Sequence, residues 1–195
     1  MKLPITNIKK KAFVLIAVCL FIGLSLLLAS TSSDELLLAV GAENAYFIMF
    51  VLAVVGGLTT FTGVPYHFIL MSFAAGGLNP VLLGVTTAGG VMIGDSASYF
   101  LGKQGEQVLP TRFKTALESV GYYLHKYPRA VTPFLLVYGT ISPFSNDFIM
   151  ISTGLVQYSY WRVIIPLSIG NTFYNIGLAL IGYYAFDSFQ AFFSL

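Results

Sequence analysis

Long apolar runs dominate the chain, and some of them are broken by glycine and proline. Ala12–Ala29 is an unbroken apolar run of the length a membrane-spanning helix needs. Ser30–Glu43 carries Asp34, Glu35 and Glu43 and reads as a short interfacial helix. Ala45–Gly76 is apolar but punctuated by Gly56-Gly57, Gly63 and Pro65. Asn79-Pro80 stops the chain, and Val81–Leu101 predicts a full span. Lys103–Arg129 spaces its polar residues at helical period and predicts an amphipathic helix on a membrane surface. Ala130–Val156 is a second broken segment, and Tyr158-Ser159-Tyr160-Trp161 predicts an aromatic interfacial anchor. Val163–Phe186 is the last span, followed by a short tail over 187–195.

The two breaks resemble each other. Gly63-Val64-Pro65-Tyr66-His67-Phe68-Ile69 is matched by Ile141-Ser142-Pro143-Phe144-Ser145-Asn146-Asp147-Phe148-Ile149. His67 and Asp147 both stand directly before Phe-Ile, and both runs continue to a serine, Ser72 and Ser152. Downstream, Gly94-Asp95-Ser96 is echoed by Gly170-Asn171-Thr172. Paired, proline-interrupted segments in two halves of a chain point to a transporter-like site near the membrane midplane.

Composition sets the solvent. The 195 residues are 56% hydrophobic and 9% charged, against about a quarter charged in a soluble domain. Such a chain predicts an all-α integral membrane protein in the cell (inner or plasma) membrane. All ten Lys and Arg lie within 2–11, within 103–129 or at Arg162. Basic segments stay in the cytoplasm, which places the N-terminus and 103–129 there. The first span then goes out and Val81–Leu101 returns. Ala45–Gly76 must therefore cross an even number of times, yet it is too short for two spans of roughly 20 residues. A re-entrant hairpin satisfies both limits, and Arg162 asks the same of Ala130–Val156 from the other face. The expected fold is an inverted repeat with two opposed re-entrant hairpins, about three full spans and a cytoplasmic amphipathic helix. The alternative, one kinked span at each break, places the basic stretch outside. Residues 9–30 also carry some marks of a signal peptide, but the apolar run is longer than the ~7–15 residues of a signal core. The division is 1–44, then 45–186 as one domain (45–102, connector 103–129, 130–186), then 187–195.

Few side chains carry candidate chemistry. Asp95 lies inside an apolar span, where a carboxylate is costly and is usually functional or paired. Its bland reading is a structural hydrogen bond to a hairpin backbone, Ser98 or Tyr99. Asp147 has a similar claim, or caps the returning half-helix in competition with Ser145 and Asn146. His67 titrates near neutral pH in water, or simply bonds a carbonyl after Pro65. Asn171, Tyr174 and Asn175 suit helix–helix contacts. Arg162 beside Trp161 is an interfacial anchor or a lipid-phosphate contact. Thr86, Gly90, Gly94, Ser98 and Gly102 recur every fourth residue as one smooth helix face, for internal packing or for a homo-oligomer. Two well-separated histidines and a single cysteine, Cys19, suggest neither metal nor cofactor nor disulfide. No P-loop, His-Glu-x-x-His or Gly-x-Ser-x-Gly element argues for an enzyme, and nothing resembles a nucleic-acid module.

Several of these residues form a family pattern. Pro65-x-His67, Gly76-Gly77-Leu78-Asn79, Gly94-Asp95-x-x-x-Tyr99-x-x-Gly102, Gly139 to Pro143 and Ser152-x-Gly154 resemble the DedA family, the prokaryotic branch of the VTT-domain superfamily. The resemblance covers about residues 45–186. It implies opposed re-entrant hairpins and movement of lipids between leaflets: undecaprenyl phosphate in bacterial members, phospholipids in eukaryotic relatives, with proton coupling proposed for some. Typical members carry an acid where this chain has His67. They carry arginines where it has Thr140 and Asn146, and planar, always-charged arginines are natural phosphate ligands. The expected function is a lipid translocase for a phosphate-bearing lipid, with passive scrambling or a non-transporting scaffold as alternatives. The expected site comprises Pro65, His67, Asp95, Tyr99, Pro143, Asn146, Asp147, Asn171 and Arg162. The expected partners are lipid and bilayer.

Overall fold

Asparagine, proline and glycine mark where the helices begin and end. The structure, a computed structural model, describes residues 38, 40–58, 66–104, 111–142 and 145–193. The expected first span, most of the interfacial segment, Pro65 and Pro143 lie outside the described residues. Seven helices follow: α1 (Ala42–Leu58), α2 (Tyr66–Ala75), α3 (Pro80–Gln104), α4 (Thr111–Lys126), α5 (Pro128–Ile141), α6 (Asp147–Leu155) and α7 (Tyr160–Phe193). No strand occurs among the described residues. Pro80 opens α3 because its missing N–H is not needed there. The Asn79 side-chain oxygen caps the same turn, accepting from the N–H groups of Val81 at 3.0 Å and Leu82 at 3.1 Å.

Two helix ends differ from the sequence expectation. α5 starts at Pro128 rather than Ala130, again because proline suits a first helical turn. α7 runs on through Asp187 to Phe193, so the expected tail continues the helix. Tyr158, of the expected aromatic anchor, packs inside the protein. It is buried, and its carbonyl accepts from the Tyr99 hydroxyl at 2.7 Å. Trp161 fits an anchor better, being 64% exposed.

Two helices, Pro80–Gln104 and the Tyr160–Ala185 part of α7, are long and apolar enough to cross a membrane. They run antiparallel. Gly84 faces Ile176, whereas Ser96, further along α3, bonds Tyr160 at the start of α7. Their outer faces expose Val81, Val85, Ile93 and Leu101, and Ile165, Ile169, Phe173 and Ile181. A continuous apolar exterior of this kind suits lipid rather than water.

Each long helix carries a pair of shorter ones. α1 starts beside the start of α3, where the Tyr46 hydroxyl accepts from the Asn79 N–H at 3.1 Å. It ends with Gly57 packed on Val91 and Gly94, short of the end of α3, and α2 returns to Pro80. α5 packs on α7 in the same way, with Gly139 against Leu167 and Gly170, and α6 returns to Tyr160. The shorter returning helices cross over: α2 packs on α7 and α6 packs on α3. Buried side chains form one apolar cluster around α1, α2 and the start of α3, and another around α5, α6 and the start of α7.

The contacts of one half map onto those of the other. Gly90 meets Phe50, Ala53 and Val54 of α1, and Gly170 meets Leu136, Gly139 and Thr140 of α5, at the same relative spacing. Gly102 sits against the backbone of Ile151, and Gly182 against that of Met71. The two returning helices even end alike. The Leu78 N–H reaches the Phe73 carbonyl and the Tyr158 N–H reaches the Thr153 carbonyl. These closures turn on left-handed residues, Gly77 at φ 95° and Gln157 at φ 51°. The stripe of small residues is thus used inside the molecule, where Gly90 and Gly94 admit α1 and Gly102 admits α6.

Candidate functional site

The polar residues of the seam between α3, α6 and α7 bond to one another. Asp95 projects from the middle of α3 and is 2% exposed. Its Oδ2 accepts from the Asn146 side-chain amide at 2.9 Å and from that of Asn171 at 3.3 Å. Asn146 precedes the first residue of α6, and its side chain reaches across to α3 instead of capping its own helix. Ser145 takes the local role, its hydroxyl accepting the Asp147 N–H at 3.2 Å. The Asp147 carboxylate is buried too, and accepts from Ser98 on α3 and from Ser145. Asn175, one turn along α7, donates to the Asn171 carbonyl at 2.8 Å.

Burial of two carboxylates among apolar helices is costly unless each is hydrogen-bonded. The donors described here are side-chain amides and hydroxyls. Among the described residues, both of these amides reach Asp95 through Oδ2.

The other returning helix begins with aromatic groups. Tyr66 packs its ring over Gly56, where a Cβ would lie 2.5 Å from that ring. The His67 ring stacks beside Tyr66 at 3.9 Å and meets the edge of Tyr174 on α7 at 5.7 Å.

The structure therefore brings together Asp95, Asn146, Asp147 and Asn171 of the expected site, with Ser98 and Ser145 added. His67 stands on the neighbouring α2–α7 seam. The Tyr99 hydroxyl is committed to the Tyr158 carbonyl and clasps the end of α3 to the α6–α7 turn. Arg162 is exposed at the start of α7. Pro65 and Pro143 lie outside the described residues. Tyr66 escaped the sequence reading, although it occupies the place of Asn146 when the two Phe-Ile runs are aligned.

The long-range echo needs one correction. Gly94-Asp95-Ser96 and Gly170-Asn171-Thr172 match as strings, but the backbone contacts pair Gly90 with Gly170 and Gly102 with Gly182. In that register Asp95 corresponds to Asn175, one helical turn beyond Asn171. A four-residue slip keeps the same helix face, so the sequence pattern alone tolerates it. Compared with known protein families, curated proteins and solved structures, the chain matches none.

Proposed function

We propose that this chain is a membrane lipid translocase of the DedA/VTT kind, moving a phosphate-bearing lipid between leaflets. The observation that carries the reading is the buried carboxylate pair, Asp95 and Asp147, in the seam between a long apolar helix and the start of a short returning one. Ionisable groups at such depth are expensive and are kept for transport, proton transfer or gating. The exchanged contacts of the two halves support an inverted repeat, because α3 and α7 run antiparallel. That α1 and α5 stop short of the ends of α3 and α7 supports two re-entrant hairpins. The starts of α2 and α6 would offer N-terminal dipoles to a phosphate, while the lipid tail stays against the apolar exterior. In the first version of this mechanism, protonation of a carboxylate couples to movement. In the second, lipid scrambles passively, a reading favoured by Thr140 and Asn146 standing where typical members carry arginines.

The test is reconstitution in liposomes with labelled phospholipid and a short polyprenyl phosphate, with and without a pH gradient. Wild-type protein should move at least one of them, and a folded Asp95→Asn variant should lose roughly tenfold or more in rate. Gradient-sensitive movement selects the coupled version, and indifference to the gradient selects scrambling. Wild-type rates in folded Asp95→Asn protein would remove the proposed site. No movement by folded wild-type protein would leave a membrane scaffold as the reading.

A further inference from the structure

The end of α4 and the start of α5 form a corner that is packed on one side and open on the other. Gly121 and Leu124 are buried, and a Cβ on Gly121 would strike the Val156 side chain. The His125 ring meets that of Tyr158 edge-on at 5.3 Å. These contacts fix the corner against the turn between α6 and α7, which leads into Trp161. The opposite face carries Tyr122, Tyr123, Lys126 and Tyr127, all exposed, and the exposed Arg129 follows in the first turn of α5. The Lys126 Nζ lies 5.4 Å from the centre of the Tyr122 ring and 5.5 Å from that of Tyr127. Two rings thus hold the end of a flexible side chain at the surface.

Depth and charge identify what this face meets. α7 exposes Trp161 near its start and Tyr184, which is 77% exposed, near its end. At about 1.5 Å per residue the helix between them spans roughly 35 Å, slightly more than the ~30 Å hydrocarbon core of a bilayer. Trp and Tyr favour the two membrane interfaces, so Trp161 marks headgroup level and the corner beside it shares that level. The charge there has one sign. From Ser119 to Asn146 the chain has no Asp or Glu, and the next acid, Asp147, is buried in the seam with α3. Basic groups at headgroup depth complement the phosphates of anionic lipids. Exposed tyrosines suit the same boundary, with apolar rings and polar tips.

We propose that the Tyr122–Lys126–Tyr127–Arg129 corner is a docking surface for the headgroups of anionic phospholipids. The ammonium and the guanidinium take the lipid phosphate, while the two rings fix the ammonium in place. Docking here requires a membrane but no lipid movement, so it goes beyond the translocase reading and stands or falls apart from it.

The test titrates the full chain, purified in detergent, with phosphatidylglycerol or with phosphatidylcholine and counts bound lipid by native mass spectrometry. Wild-type protein should retain phosphatidylglycerol in preference. Lys126→Gln with Arg129→Gln should weaken that retention roughly tenfold or more and leave phosphatidylcholine unchanged. Both residues are exposed, so the fold should tolerate the change, and an unaltered unfolding midpoint checks this. Tyr122→Leu with Tyr127→Leu keeps the charges but removes the hydroxyls and ring faces, and should weaken retention about threefold. Lys103→Gln with Arg162→Gln removes the same charge elsewhere at this end and should cost less than the Lys126–Arg129 pair. Equal losses from the two charge pairs would mean attraction by bulk charge and overturn the corner. Equal retention of the two lipids by wild-type protein would overturn it as well, and would turn attention to an acidic protein partner.

Discussion

At the scale of single residues, the candidate site is a set of choices about where each hydrogen bond goes. Asn146 gives its amide to Asp95 and leaves the helix start to Ser145. Ser98 serves Asp147 from across the seam. Ser98→Ala should therefore cost about 1–3 kcal/mol, because a buried carboxylate loses a donor without regaining water. Thermal unfolding in detergent reads this, and an unchanged midpoint would mean that the remaining partners of Asp147 satisfy it. Gln157 offers a test of opposite sign. It holds the left-handed place that Gly77 holds in the other half. Relief of the strain of a side chain there outweighs glycine's extra flexibility, so Gln157→Gly should stabilise by about 0.5–1 kcal/mol. The candidate acids were legible in the sequence, since a carboxylate in an apolar run stands out. Their partners were not, because Asn146 and Asn171 reach Asp95 from distant parts of the chain.

At the scale of elements, glycines decide how closely helices approach. A Cβ on Gly102 would collide with the carbonyl of Ile151, and one on Gly154 with that of Tyr99, so α3 and α6 meet backbone to backbone. Gly102→Leu should destabilise the fold by about 1–3 kcal/mol or more, since neither backbone has room to retreat. Gly177 is the contrast: a Cβ there meets nothing within 4 Å. Gly177→Ala should stabilise by about 0.5–1 kcal/mol by restricting the unfolded chain. Unfolding midpoints of the two variants that move in the same direction would contradict this account of the helix contacts. The apolar runs and the Asn79-Pro80 stop were legible from period and composition. The start of α5 at Pro128 was displaced by two residues, because the basic Arg129 reads as connector although proline before it opens a helix.

At the scale of the whole molecule, charge separates the two ends of the helix pair. Lys103 and Arg162 stand at one end, joined by Arg129 at the start of α5, whereas Glu43 and Asp187 fall at the other. Basic residues favour the cytoplasmic side, so the Lys103 end should face inward. In a Cys19→Ser background, Ala42→Cys should react with an impermeant thiol reagent added to intact cells. Gln104→Cys should react only after permeabilisation. The reverse pattern would invert the orientation, and labelling of both from one side would mean that α3 does not cross. Composition and period alone determined that the chain is helical and apolar, that it contains long apolar segments and that each half carries a break. These properties follow from local side-chain chemistry and need no partner. Tertiary structure alone decided that α2 packs on α7 and α6 on α3, and that Asn146 and Asn171, from distant parts of the chain, both bond Asp95. Packing was needed because a helix presents the same face after every few residues, and only contact between backbones selects the register.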